Sequence, residues 1–419
     1  MKEREDVYII GTAMTRFGKY LDKSVKALTG EALDLVLADS GLERSDIQAA
    51  WFSNSGWGYH SFQHSVRGQV ALSANGLEGL PIINVENACA SGSTALHSAW
   101  AAVRAGLYDC VLAIGAEKMY DADRAKTMMM FMSGSDVEEL SAFMAKFQEQ
   151  ERQRKEQEAR EKGLEPPPAK AGGHSAFMDL YSIGARMHMK KYGTTQRQLA
   201  CIAAKAHNNS VNNPYAQYTF PMTVAEVLAD REVSFPLTRA MCAPVGDGAA
   251  AAILCSEDFL KRRGAGRKTR IRASVLRSGK RTGESDICER TARAAYEMAG
   301  VGPGDISVAE VHDATAFGEL YQSEQMGFCP AGEGGPFAES GATAIGGKIP
   351  INPSGGLIAR GHPVGASGLA QVFELVAQLH GTAGARQVSN ARLAMAENGG
   401  GFIGMGEAAM AIHILEKGQ

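Results

Sequence analysis

The chain has no run approaching ~20 consecutive apolar residues, so nothing in it reads as a membrane-spanning helix. Its opening residues, MKEREDVYIIGTAM, lack the uninterrupted apolar stretch of a secretory signal. Seven cysteines occur without C-x-x-C or paired spacing, which argues against a disulfide framework and against a zinc ribbon within the chain. A reducing compartment, a cytoplasmic location and no resident metal are the expectations. Charge of one sign is also missing: the formal net charge is −3. That disfavours a general nucleic-acid or anionic-membrane surface, although a local basic patch can still hold phosphates. Core-forming material is plentiful. With 419 residues, 45% hydrophobic and 21% charged, the chain is long enough for two or three domains and too apolar for wholesale disorder.

Short apolar runs bounded by turn residues recur at Val7–Gly11, Ile82–Val85, Cys110–Gly115 and Ala249–Leu254, as expected of buried parallel strands. An apolar helical pattern from Ala27 closes at Gly41. Alternation of such strands with helices predicts a layered α/β architecture. The second half repeats the first. Ala90-Ser91-Gly92 leads into STALHSAWAAVRAG, and Ala366-Ser367-Gly368 leads into LAQVFELVAQLHG; Asp39–Ser53 aligns without a gap to Met298–His312, matching Asp46-Ile47 with Asp305-Ile306. A period this long marks duplicated domains rather than a solenoid. The expected division is an N-terminal half from 1–119 and 245–265, an inserted loop domain at 120–244 and a C-terminal half at 266–419.

Within the insertion, Phe147–Gly163 carries Glu151/Lys155, Glu156/Arg160 and Glu158/Lys162 at i,i+4 spacing, followed by Pro166-Pro167-Pro168. An exposed charged helix stopped by proline is predicted. Met128-Met129-Met130-Phe131-Met132 suits either an irregular pocket wall or gap-filling core. The basic run from Lys261 to Arg270 reads as a solvated linker, with phosphate holding as the alternative.

Three stretches carry chemistry. Asn84–Ser93, NVENACASGS, places Cys89 at a strand-to-helix turn, where the helix dipole favours thiolate and small neighbours admit a carbonyl. Glu310-Val311-His312-Asp313-Ala314-Thr315 puts His312 at a strand end, and the glycine-rich Asn352–Ala366 segment holds His362, three residues before the position aligned with Cys89. Glu397-Asn398-Gly399-Gly400-Gly401 precedes the final apolar strand, and consecutive glycines let backbone N–H groups approach a ligand oxygen. Together these supply a nucleophile, bases and an oxyanion site for acyl transfer.

Over nearly its full length the chain resembles the thiolase superfamily, above all the sterol-carrier-protein-type thiolases, through NACASGS, the HDA motif at His312, NPSGGLIARGHPVGASGLAQ, HNNSVNNPYAQY and GDGAAAAIL. The resemblance implies a five-layered αβαβα thiolase fold of two duplicated halves and a loop domain over a coenzyme A site. It further implies a homodimer or tetramer, and coenzyme A as co-substrate with no tightly bound cofactor. It assigns Cys89 the acyl thioester, His362 the activation of that thiol, and His312 the thioester oxygen of the second substrate. Backbone N–H groups of Cys89 and Gly400, beside Asn398, would bind the acyl oxygen. A separate zinc-ribbon/OB-fold subunit is a further implied partner.

The chain departs from the family in one respect: where many thiolases carry a second catalytic cysteine it has Glu397-Asn398-Gly399-Gly400, and the HDxF position holds Ala314-Thr315. The activity expected is cleavage of a 3-ketoacyl-CoA by coenzyme A, with a bulky or aromatic acyl group such as benzoylsuccinyl as one substrate. Biosynthetic Claisen condensation or acyl transfer through the same cysteine, a non-catalytic acyl-CoA or lipid binder, and a retro-aldolase stay open at the sequence level.

Overall fold

The computed structural model describes residues 6–139, 176–264, 268–281, 286–404 and 406–418, with scattered residues between 145 and 161. Its strands are β1 (Val7–Met14), β2 (Ala49–Ser53), β3 (Ile82–Val85), β4 (Cys110–Glu117), β5 (Glu232–Ser234), β6 (Leu237–Thr238), β7 (Gly248–Ser256), β8 (Thr269–Ser278), β9 (Val308–Glu310), β10 (Leu393–Ile403) and β11 (Gly406–Lys417). Nine of them run in the order β3-β2-β4-β7-β1-β8-β11-β10-β9, while β5 and β6 pair separately. The nine-stranded sheet has a narrow seam. β1 and β8 meet through only two residue pairs, Tyr8 with Arg270 and Ile9 with Thr269, so each side of the seam is a half-sheet with its own faces.

Among the helices are α1 (Val25–Ser40), α2 (Ser91–Arg104), α3 (Arg124–Met132), α4 (Ala176–Tyr192), α5 (Ile287–Ala299) and α6 (Ser367–His380); α1, α2, α5 and α6 cover the faces of the half-sheets, while α3 and α4 pack on each other in the stretch between β4 and β5. Along β4, Val111 and Ala113 point into the cluster that holds α2 and α6, whereas Cys110, Leu112 and Ile114 point to the cluster under α1. This is the two-residue period of a strand buried on both faces. α5 packs on the outer face of the second half-sheet against Val275, Met395 and Ile412. The order across the molecule is therefore α1, half-sheet, α2 with α6, half-sheet, α5: the five layers expected. Leu369, Val372, Leu375 and Val376 of α6 are fully withdrawn from water, each contributing about 1.5–3 kcal/mol.

The internal repeat is visible in local hydrogen bonding. Asp46 Oδ2 accepts the Glu43 N–H at 3.0 Å, and Asp305 Oδ2 accepts the Gly302 N–H at 2.8 Å; one short turn leads into β2 and the other into β9. The two copies meet where α2 and α6 begin. A Cβ on Gly92 would lie 3.1 Å from Gly365 O and Leu369 N, and one on Gly368 would lie 2.2 Å from Ser93 Oγ. Only glycine at these positions lets the two helix starts approach this closely.

Two expectations change. β3 is an edge strand, paired only with β2, and its Ile83 and Asn84 are exposed; a run of apolar residues does not distinguish edge from centre. Lys261, Arg262 and Arg263 close a helix over Glu257–Arg263 and pair with Glu257, Asp109 and Asp46 rather than forming a solvated linker. The charged segment 147–163 and its proline stop fall largely outside the described residues. Where the chain leaves β4 and returns before β7, Asp247 accepts the Met119 and Tyr120 N–H groups at 2.7 and 2.8 Å and Lys118 Nζ at 2.9 Å.

Candidate active site

Cys89 lies in a one-turn 3-10 segment, Ala88–Ala90, between β3 and α2. Ala88 has φ +47°, a conformation costing of order 1–3 kcal/mol for a residue with a Cβ. Glu86 Oε1 holds it by accepting the Ala88 N–H at 2.6 Å. His312 follows the end of β9 by two residues, and His362 follows a helical turn over Gly356–Arg360. These two loops are tied together. Glu310 Oε2 accepts from Ser354 Oγ at 2.7 Å and Arg360 Nη1 at 2.9 Å, Asn352 Oδ1 accepts the Val311 N–H at 2.8 Å, and Asp313 Oδ1 accepts the Leu357 N–H at 2.6 Å.

The result is convergence of Cys89, His312 and His362, whose sulfur and ring-nitrogen atoms lie within 4.8 Å of one another. The imidazoles meet edge to face, centroids 5.2 Å apart. Hydrogen bonds fix both tautomers. Ser367 Oγ donates to Pro363 O at 2.9 Å, so toward His362 Nδ1, 2.7 Å away, it can only accept. His362 therefore carries its proton on Nδ1, and its buried Nε2, which has no hydrogen-bond partner, is a free lone pair. His312 is the reverse: Asn398 Nδ2 donates to its Nδ1 at 3.1 Å, and Asn398 is oriented by Ser93 Oγ on its Oδ1, also at 3.1 Å. That leaves His312 Nε2 as an N–H donor.

Burial sets the electrostatics. It pushes the Cys89 thiol up to about 12, with Gly401 and Cys89 backbone N–H groups acting on the sulfur in the opposite direction. Against the expectation that the helix start favours thiolate, burial acts toward the thiol and outweighs the backbone N–H groups on the sulfur. Burial also lowers His312 to about 4 and His362 well below the ordinary imidazole value, keeping both neutral. Of the two glycines, it is Gly401 whose N–H acts on the sulfur, whereas Gly400 packs against the Cys89 turn, where a Cβ would stand 2.3 Å from Asn87 O.

Cys89, His312, His362 and Gly400 line a pocket of about 60 Å³, room for little more than an acetyl-sized group. It adjoins two larger cavities. One of about 970 Å³ shares Phe131, Met178, Ala243 and Pro244 with it; another of about 990 Å³ shares Tyr181, Phe402 and Glu407. Met130 forms part of the catalytic wall, Met128 part of the first large cavity and Phe131 part of both, which assigns three of the five residues in the Met-rich run to pocket walls.

Sequence reading missed Ser367, Tyr181, Phe402, Glu407 and Glu117. Ser367, five residues beyond His362, was legible in principle as a hydroxyl on the next helix start. Tyr181 and Glu407 reach the pocket from distant elements, with no local signal. Glu117, the last residue of β4, accepts Ser55, Gly56 and Gly365 N–H groups and Asn54 Nδ2 at 2.8–3.1 Å. It thereby ties the loop after β2 to the loop after His362.

The thiolase N-terminal domain model matches residues 7–235, and the thiolase C-terminal domain-like model matches residues 276–416. The chain belongs to the thiolase family. It is 37% identical over 419 residues to an acetyl-CoA acetyltransferase of Methanothermobacter thermautotrophicus, covering 98% of this chain and 100% of that protein. It is 33% identical over 411 residues to the benzoylsuccinyl-CoA thiolase subunit BbsB of Thauera aromatica, covering 96% of each. Against sterol carrier protein 2 of Bos taurus the identity is 36% over 424 residues, covering 97% of this chain and 72% of that protein. Among solved structures, the Ltp2-ChsH2(DUF35) aldolase superposes with a TM-score of 0.76 at 23% identity over 98% of each chain, a likeness of fold. As a thiolase-family acyltransferase, the chain works on acyl-CoA thioesters. Among the described residues no helix is long and apolar enough to cross a membrane.

Proposed function

We propose that this thiolase-family chain cleaves a 3-ketoacyl-CoA with coenzyme A through a thioester on Cys89. The observation that carries the reading is the convergence of Cys89, His312 and His362 within 4.8 Å, together with the buried, unpartnered lone pair of His362 Nε2. His362 takes the thiol proton as sulfur attacks the ketone carbon. The bond between C2 and C3 breaks, its electron pair passes to the enolate of acetyl-CoA, and the proton held by His362 is returned to C2. His312 Nε2–H holds the thioester oxygen while the enolate forms, and backbone N–H groups of the Cys89 turn and Gly400 take the acyl oxygen. The thiol of a second coenzyme A then displaces the acyl group from Cys89. Condensation is the same sequence in reverse, so substrate supply sets the direction.

Coenzyme A, the co-substrate, fits the 970 Å³ cavity, whose walls include Lys19, Arg231 and Arg239 for phosphates and the Tyr218–Phe220 ring pair. Most of that wall comes from residues 120–244, which serve in this reading as the loop domain over the coenzyme. A homodimer belongs to the same reading, supported by the open edge of β3, and the word "subunit" in the name of the Thauera relative supports a separate partner chain.

The test is intact mass after mixing with acetoacetyl-CoA and with branched and aromatic acyl-CoA compounds. An acyl adduct on the native protein, absent from Cys89→Ala and discharged by free coenzyme A, is expected. Undiminished turnover in Cys89→Ala overturns the covalent route.

A further inference from the structure

The catalytic pocket offers about 60 Å³, an acetyl-sized space, and the cavity of about 970 Å³ is assigned to the coenzyme. A longer acyl group therefore has to pass elsewhere. The catalytic pocket and the cavity of about 990 Å³ adjoin at a wall formed by Tyr181, Phe402 and Glu407. Tyr181 and Phe402 meet edge on at 5.4 Å, and Phe177 lies 5.2 Å from Phe402, so any passage through that wall is aromatic. The second cavity shares no wall residue with the coenzyme cavity.

Beyond the passage the wall is not apolar. Among the described residues, Arg290 on α5 has a buried Nε with no hydrogen-bond partner, and its Nη2 reaches only Ser278 O at 3.4 Å. Lys190 of α4 and Lys280 after β8 line the same space. Most of the other charges are already engaged. Arg281 pairs with Asp136 and Glu139; Asp286 caps α5 and accepts the Tyr321 O–H at 3.0 Å; Glu324 accepts from His188 Nε2 at 3.1 Å. Glu289 and Glu407 remain, Glu407 Oε1 accepting from Gln322 Nε2 at 3.2 Å, so cations are in excess. A half-buried guanidinium without an anion is a site for a planar two-oxygen ligand.

We infer that this second cavity receives the acyl group of the substrate, that the group carries a carboxylate, and that Arg290 is its anchor. The inference rests on the thiolase reading and names its substrate class: 3-ketoacyl-CoA compounds with an acidic acyl tail. Tyr181 and Phe402 line the way, and Arg290 determines specificity without touching the reacting atoms.

The test separates this site from the chemistry. Cys89→Ala protein is titrated calorimetrically with acetyl-CoA, with the neutral acyl-CoA series from butyryl to octanoyl, and with the matching ω-carboxyl series from succinyl to suberyl. At the best-fitting length the carboxylate compound should bind at least tenfold more tightly than its neutral partner. Adding Arg290→Gln should abolish that difference, Arg290→Lys should restore part of it, and acetyl-CoA binding should be unchanged in both. Equal affinities at every length, or a carboxylate preference that survives Arg290→Gln, overturn the inference. Thiolysis of acetoacetyl-CoA is measured alongside on the native protein. No cleavage there, together with an Arg290-dependent carboxylate preference, removes the thiolase reading and leaves the site standing.

Discussion

Ser367 Oγ stands 2.7 Å from His362 Nδ1 and spends its own proton on Pro363 O at 2.9 Å. A hydroxyl five residues along the chain thus determines which imidazole nitrogen carries the proton and which the lone pair. Ser367→Ala should leave Nδ1–H without its acceptor, at about 1–3 kcal/mol. The expected result is a fall in kcat of roughly tenfold to hundredfold with KM for coenzyme A unchanged. A steady-state comparison with Ser367→Thr, which retains the hydroxyl, checks it.

The pH profile should differ from that of an exposed imidazole. Catalysis needs neutral His362, and burial lowers its pKa well below the ordinary value, with His312 lowered to about 4. As pH falls through ~6.5, both rings stay unprotonated, so kcat/KM should hold where a free histidine would already be charged. Stability runs with the same sign. The unfolded chain takes up these protons from about 6.5 downward and the folded chain only near the lowered values, so the contribution of these two rings to stability falls as pH drops from 6.5 toward 4. A profile of kcat/KM with an acidic midpoint at the free-imidazole value would contradict this.

Without its base, the cysteine should be inert. The thiol is pushed up to about 12 by burial, so in His362→Ala very little thiolate forms at neutral pH. Iodoacetamide inactivation should slow by one to three orders of magnitude (about 10²-fold) relative to the native protein, and its rate should climb steadily with pH. Both rates are read from residual activity or from adduct mass.

Asn398 acts on the other histidine. Asn398→Leu removes the donor to His312 Nδ1 and strands Ser93 Oγ, freeing the ring to present the wrong nitrogen. Acyl-enzyme formation should fall no more than about threefold, whereas the condensation half-reaction should fall by roughly tenfold to hundredfold, the worth of one buried hydrogen bond. Rapid-quench measurement of the two half-reactions decides the matter, and equal losses in both would refute the assignment.

Glu117 predicts a coupled loss of stability and rate. Its two oxygens accept four N–H donors, from Asn54, Ser55, Gly56 and Gly365. Glu117→Gln turns one acceptor into a donor facing donors, which should cost about 2–4 kcal/mol. Calorimetry should show a lower Tm, and kcat should drop with it, because the Gly365 loop follows directly on His362.

The reactive residues were legible because each has a local signature. Cys89 is bracketed by a strand pattern and a helix pattern, His312 follows a short apolar run, and the duplicated Ala-Ser-Gly predicts that His362 and Cys89 face one another. Protonation was not legible. The helix start at Ser91 argues for thiolate, yet the pocket walls that desolvate the sulfur come from Met130, Phe177 and Val364, residues that no sequence window places together. The same applies to Arg290 and Glu407, which reach the pocket system from the second half, and to β3, whose position at the edge follows from what fails to pair with it.

Gly92 and Gly368 bring together two helix starts that lie in the two matching halves of the sequence. The nucleophile stands on the first side of this contact, and both imidazoles stand on the second. Neither side on its own holds a complete reaction centre, so the chemistry depends on how closely two glycines let the helix starts approach.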